Sequence, residues 1–247
     1  MYNSISAEVY NLDKPIGSSF GDVEYYSSRL SRVKGRILEP AVGTGRILIP
    51  LLEKGYTVDG FDLSEEMLDY CRDNLKKAYK EANVFRADME TFQSEQLYEA
   101  IIIPTGTFLL ISDEEKAFNI ISNFYNHLES DGRIIIDIFL PTDFVEGKST
   151  YRTFSNTQGD LITFQITESE INYIEQTTIS HHRYDKWKEG KCIESEFEVF
   201  KLKWYGVKEF KRLLMQIGFK DIVISADYKY KQYPTNPNQV ITFEAVK

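Results

Sequence analysis

Residues 37–50 read ILEPAVGTGRILIP, an apolar run that ends in an acid, passes through a glycine turn and resumes with helical spacing. That order is strand, turn, helix. Arg36, Ile37, Leu38 and Glu39 fit a short buried strand, and Gly43 and Gly45 let the backbone turn tightly and approach a ligand closely. The apolar residues through Leu51 and Leu52 fit a helix that Gly55 stops. Upstream, Val23, Tyr26, Leu30 and Val33 share one helical face, so a helix over 22–33 is predicted to precede the first strand with Tyr26 turned inward.

The unit repeats downstream. Residues 57–61 read as the second strand, followed by a helix that opens near Ser64 with Glu65 and Glu66 in its first turn. Residues 83–86 and 100–103 read as strands three and four. Ser112 and Glu115 are spaced as a capping box for a helix running to about His127, and 133–139 is the fifth strand. Alternating strands and helices with short connections predict an α/β fold: a doubly wound, Rossmann-like, mostly parallel seven-stranded sheet.

The texture changes after Pro141. From Tyr151 to Trp204 the chain alternates with no helical period, so a small antiparallel insert is predicted after the fifth strand, with a turn over 188–191. Glu194, Glu196 and Glu198 share one face of its last strand and read as a solvated row. Val207, Phe210, Leu214 and Ile217 then form the stripe of a final helix ending at Gly218, and strands at 222–225 and 240–246 close the chain. The expected organisation is a single domain over 1–247. It comprises an N-terminal segment (1–34), a ligand-binding core (35–140), the insert (145–204) and a closing helix with a strand pair (205–247).

Composition narrows the function classes. The 247 residues are 42% apolar, enough for one sizeable core, and the formal charge of −9 opposes the phosphate neutralisation on which nucleic-acid binding depends. Cys71 and Cys192 sit outside any CxxC or metal-ligand spacing, so two buried thiols and no metal are expected. No apolar stretch approaches the roughly 18 residues of a membrane span and the start lacks a signal-peptide pattern, so a cytoplasmic protein without membrane contact is the expectation. The 16 Tyr and 16 Phe can fill a core or line a pocket for a small organic molecule.

Glycines at the carboxyl end of a first parallel strand mark a ligand-binding edge, and two cofactor classes compete for it. A dinucleotide loop wants a third glycine three residues after Gly45, where this chain has Leu48. Glu39, at the strand tip, would repel a pyrophosphate and welcome an ammonium group. S-adenosylmethionine carries an ammonium, a sulfonium and a ribose diol but no phosphate. Asp62, at the tip of the second strand about 20 residues after the turn, suits a ribose in either class. Asp88 and Met89, at the tip of the third, could meet an adenine amino group and ring.

These stretches, LEPAVGTGR, VDGFDLS followed by EEML, and FRADME, in this order and spacing, resemble the class I S-adenosylmethionine-dependent methyltransferases, small-molecule branch. The resemblance covers about 10–139 and the closing helix with its strand pair. It implies S-adenosyl-L-methionine as cofactor and S-adenosyl-L-homocysteine as product. It also implies a cofactor loop of Glu39, Ala41, Gly43 and Gly45, a ribose and adenine side at Asp62 and Leu63, and an adenine frame of Asp88 and Met89. Pro104, Thr105 and Gly106 would lie beside the methyl donor, and Tyr10 in VYNLDKP would cover the cofactor. Ala41 departs from the usual glycine of this family.

In-line methyl transfer needs positioning and exclusion of water, and a base only if the acceptor arrives protonated. The aromatic-rich insert is expected to build the acceptor pocket. Its position resembles that in nucleotide-sugar and glycine N-methyltransferases, which implies a small polar amine or hydroxyl acceptor. Ile103-Pro104-Thr105-Gly106-Thr107-Phe108 lacks the Asn/Asp-Pro-Pro-aromatic run of base methyltransferases, which speaks against nucleic acid. His181, His182 and Tyr184 are the candidates for catalysis, with at most one of the two histidines facing a pocket because neighbours on a strand point oppositely. Arg183 or Tyr184 could equally bind an acidic group on the acceptor. The oligomeric state, monomer or homodimer, stays open. The competing readings are a nicotinamide-dependent oxidoreductase and a non-catalytic module that binds S-adenosylmethionine.

Overall fold

The computed structural model describes residues 3–247; residues 1 and 2 of the expected N-terminal segment lie outside them. In chain order the elements are α1 (Ser4–Asp13), α2 (Asp22–Arg29), β1 (Arg36–Pro40), α3 (Leu48–Glu53), β2 (Thr57–Asp62), α4 (Glu65–Lys77), β3 (Val84–Arg86), β4 (Tyr98–Ile103), α5 (Glu114–His127) and β5 (Leu128–Ile138). The insert follows as β6 (Ser149–Ser155), β7 (Leu161–Asn172), β8 (Thr177–Lys188) and β9 (Lys191–Lys203), and α6 (Val207–Ile217), β10 (Lys220–Ala226) and β11 (Ile241–Val246) complete the chain.

Seven strands form one sheet in the order β10-β11-β5-β4-β1-β2-β3, parallel except for β11, which pairs antiparallel with both neighbours. The apolar runs of the central strands follow from burial on both faces. Leu38, Ile101, Ile103, Ile134 and Ile136 point into the layer that holds α5 and α6, while Ile37, Ala100, Ile102 and Ile135 point into the layer that holds α2, α3 and α4. Alternation along each strand sends neighbours to opposite cores. All strand tips from β1 to β5 therefore share one edge of the sheet, where the loops carrying the acids meet.

The other four strands form an antiparallel meander, β6-β7-β8-β9, and its tight 188–191 turn places Glu189 and Gly190 at positive φ as hairpins require. Direct pairing puts Phe164, Tyr184 and Glu196 on one face of this sheet, and Ile166, His182 and Glu198 beside them. That face is covered. Helix α1 lies across it with Ile5 and Val9 packed against Ile162, Phe164 and Tyr184.

Three sequence expectations are corrected here. The acid row on β9 is solvated only at Glu194: Glu198 is 8% exposed, and Glu196 accepts the Ile5 and Ser6 amides at the start of α1 at 2.9 and 3.0 Å. A helix N-terminus attracts carboxylates, and here the sheet supplies them. Cys192 is exposed, on the hairpin end of β9, while Cys71 is buried as expected. The cap of α5 is Asp113, whose carboxylate accepts the Lys116 amide at 2.9 Å, instead of Ser112. Among the described residues no helix is long and apolar enough to cross a membrane, and no group of three or more His, Cys, Asp or Glu side chains could hold a metal ion.

Candidate active site

The glycine turn bends back on β2 through backbone bonds, Val42 N–H to the Phe61 carbonyl at 2.9 Å and Gly45 N–H to the Val42 carbonyl at 3.0 Å. It can do so because Gly60 on β2 has no side chain: a Cβ there would come within 2.8 Å of Val42. Ala41, Gly43 and Gly45 all adopt positive φ, at 52°, 56° and 85°. The alanine therefore occupies a backbone conformation that glycine takes at little cost, which explains why the resemblance expects glycine at that position.

Asp62, at the tip of β2, grips this turn. Its Oδ2 accepts the Gly43 amide and its Oδ1 the Ser64 amide, both at 2.9 Å, and burial raises its pKa against the pull of those amides. Asp88 sits half-buried after β3 and accepts the Glu90 amide at 2.9 Å, Leu63 is partly exposed beside Asp62, and Met89 is buried in the apolar cluster with Phe61 and Phe92. Pro104 is buried at the tip of β4, and its carbonyl accepts the Thr107 amide at 3.2 Å. The structure thus gathers the tips of β1, β2, β3 and β4 at one edge, as the spacing implied.

Glu39 is the most telling residue. It is 2% exposed and its Oε2 has no hydrogen-bond partner among the described residues. Burial pushes its pKa up to about 8, with Asp22 and Asp62 adding to the effect and Arg46 opposing it. Arg46, also buried, is already committed: it pairs with Asp22 at 2.5 Å and donates to the Ser18 carbonyl at 3.2 Å. One buried cation therefore stands against two buried acids. The Asp22 carboxyl would be raised by burial, but Arg46 and the Phe20 and Val23 amides hold it below the usual carboxylate range. The acid left over is Glu39, whose Oε2 meets no donor among the described residues.

From α1, Tyr10 closes over the turn. Its ring lies 3.9 Å from where a Cβ on Gly43 would stand, and burial raises its hydroxyl pKa against the influence of Arg46. Asn74 on α4 ties the same region together, donating to the Thr44 carbonyl at 3.0 Å and to Asn11 of α1 at 2.9 Å.

Sequence reasoning passed over Arg46, Asp22 and a second acid, Asp137 on β5. Asp137 is fully buried and accepts from the Thr242 hydroxyl at 2.6 Å, the Thr105 amide at 2.9 Å and the Tyr228 hydroxyl at 3.1 Å. Burial lifts its pKa to about 6, held down by those donors. It fixes the turn after β4, where Thr105 and Gly106 both have positive φ and the Phe139 ring occupies the space a Cβ on Gly106 would need. An acid inside the run IIIDIF was the available signal, since a charge in a doubly buried strand demands partners.

Beside that turn a cavity of about 170 Å³ opens between Leu109 and Phe139 on the core side and Ile166, Ser180, Leu202 and Trp204 on the insert side. A larger open cleft of about 430 Å³ lies between α1 and α4, near Pro15 and Lys77, and none of the strand-tip acids lines it. Of the three candidates for catalysis, His182 and Tyr184 share the inner face of the insert, and His181 lies on the outer face against Phe197. His182 stacks on Phe200 at 4.8 Å, shares a 3.0 Å hydrogen bond with the Ser180 hydroxyl, and is pushed down to about pKa 4 by burial with help from His181. Tyr184 is buried and stacked on Phe164 at 4.4 Å. Arg183 pairs with Asp185 on the outer face, away from the cavity.

Residues 37–132, from β1 into β5, match the family described as a methyltransferase domain. This chain carries a methyltransferase domain. The methyltransferase is 24% identical over 222 residues to the putative methyltransferase YqeM of Bacillus subtilis, covering 87% of this chain and 85% of that one. It is 25% identical over 212 residues to a glycine/sarcosine N-methyltransferase of Aphanothece halophytica, covering 82% and 73% of the two chains. Its fold is shared with the sugar N-methyltransferase KedS8 from a Streptoalloteichus species, with a TM-score of 0.78, 18% identity, and 100% and 94% of the chains covered. The fold is also that of a glycopeptide N-methyltransferase, MtfA, whose structure is a complex with S-adenosylmethionine, with a TM-score of 0.59, 18% identity, and 92% and 93% of the chains covered. The unpartnered Oε2 of Glu39 beside a glycine cradle fits a ligand that brings an ammonium group and no phosphate.

Proposed function

We propose that the methyltransferase methylates a nitrogen or oxygen of a small molecule held between the turn after β4 and the inner face of the insert. The cavity beside Gly106 carries this reading. Its walls join the strand-tip edge to the insert, and its apolar lining of Leu109, Phe139, Ile166, Leu202 and Trp204 would exclude water from the reacting atoms.

On the cofactor side, Glu39 would receive the ammonium, Asp62 and Leu63 the ribose and adenine edge, and Asp88 with Met89 the adenine. Ala41, Gly43 and Gly45 would form the backbone cradle, with Pro104 next to the methyl donor and Tyr10 above it. The cofactor supplies a methyl group already activated on sulfonium. The remaining work for the chain is to bind, orient and desolvate. An acceptor amine that arrives neutral needs no base. Where a proton must leave, Ser180 faces the cavity and His182 stands behind it, neutral at physiological pH because of its lowered pKa.

Glycine, sarcosine and amino sugars are the first acceptors to test, given the named substrates of the relatives. Purified protein with S-adenosylmethionine is assayed for S-adenosylhomocysteine release against this panel, in parallel with Leu202→Trp, which fills the cavity. Turnover lost in that variant while cofactor affinity is retained supports the site; unchanged turnover would place the acceptor elsewhere.

A further inference from the structure

The insert does more than face the cavity: it also holds the residue that covers the cofactor loop. Helix α1 has two working faces. Ile5, Val9 and Leu12, spaced i, i+4 and i+7, pack on the inner face of the insert, while Tyr10 and Asn11 point the other way, toward Gly43 and Asn74. Four charged side chains of the insert fasten the first of these faces. At the helix start, Glu196 takes the Ile5 and Ser6 amides, and Glu198 takes the Ser6 hydroxyl at 2.9 Å and the Asn3 amide at 3.3 Å. Midway, Lys186 pairs with Glu8 at 2.8 Å, and at the far end Arg152 pairs with Asp13. The pairs come from β9, β8 and β6, so α1 spans the whole sheet like a strut.

We propose that Glu196, with Glu198 beside it, is a positioning residue for cofactor binding, acting through α1 to hold Tyr10 over the glycine turn. The proposal rests on the reading of Tyr10 as a cofactor residue. Both carboxylates are too occupied with α1 to serve the cavity, and both stand at the end of the helix where a negative charge is most favourable. Removing Glu196 frees two buried amides and releases the helix start, and the tilt of a short rigid helix carries Tyr10 with it. The consequence is that the sheet forming the cavity and the loop forming the cofactor site are mechanically joined.

The test is a double-mutant cycle on affinity for S-adenosylhomocysteine, read by calorimetry on the full chain, so that no acceptor is needed. Tyr10→Ala is expected to weaken binding about tenfold and Glu196→Ala several-fold, with the double variant no weaker than Tyr10→Ala alone. Lys186→Met, which cuts the strut at Glu8 without touching the helix start, should show the same non-additivity and serves if Glu196→Ala fails to fold. Unchanged binding by folded Tyr10→Ala would overturn the reading of Tyr10 itself. Weakened binding by Tyr10→Ala with none in folded Glu196→Ala and Lys186→Met would overturn the positioning role alone. Fully additive losses would also overturn it, because a general loosening of structure does not pass through Tyr10.

Discussion

Replacing Glu39 by Gln should make the protein more stable and its cofactor site worse. In the folded chain the Glu39 carboxyl keeps its proton up to about pH 8, whereas an unfolded chain releases it near the ordinary value of 4.5. Between those limits the unfolded state binds fewer protons than the folded one, so stability falls as pH rises through that window. At about 1.4 kcal/mol per pH unit, the loss accumulated at pH 7 is on the order of 3 kcal/mol, and it is absent near pH 4. Glutamine fills the same space and cannot ionise. Urea unfolding of both proteins at pH 5 and pH 8 should therefore show Glu39→Gln gaining several kcal/mol relative to wild type at the higher pH and little at the lower. Calorimetry on the same variant should show weakened binding of S-adenosylhomocysteine, and in the wild type an affinity that rises between pH 6 and 8 as Glu39 gives up its proton to meet the ligand ammonium. A stability difference that is the same at pH 5 and pH 8 would refute the claim that Glu39 is a buried acid awaiting a cation.

Three further outcomes follow from the same geometry. Asp62→Ala should cost at least about tenfold in S-adenosylhomocysteine affinity, roughly 1.4 kcal/mol, since it removes both the proposed ribose acceptor and the clamp on the Gly43 amide; titration of the folded variant decides. Ala41→Gly should raise the urea midpoint slightly, because relief of a left-handed alanine worth about 1–2 kcal/mol outweighs the extra chain entropy of glycine, about 0.5–1 kcal/mol. Ile102→Ala, in the fully buried centre of β4, should cost about 2–5 kcal/mol in a denaturation assay without moving the site residues.

The parallel core was legible because its signals are local. A strand ending in an acid, a glycine turn and a periodic helix recur along 36–139, and each acid at a strand tip is brought to the same edge by the topology alone. The insert was legible as antiparallel strands, but not which way they face. Alternation groups Glu194, Glu196 and Glu198 together, yet only the docking of α1 turns Glu196 and Glu198 inward, and that contact spans about 190 residues of sequence. Arg46 and Asp22 escaped notice for the same reason: either alone reads as a surface charge, and only the fold buries them as a pair. The α5 cap was missed by one residue because Ser112 and Asp113 are both good caps.

Calorimetric titration with S-adenosylhomocysteine, alongside NAD and NADP, tests the central claim most directly. The geometry of Glu39, the glycine turn and Asp62 predicts micromolar binding of S-adenosylhomocysteine and none of either dinucleotide. Binding of a dinucleotide alone would contradict it.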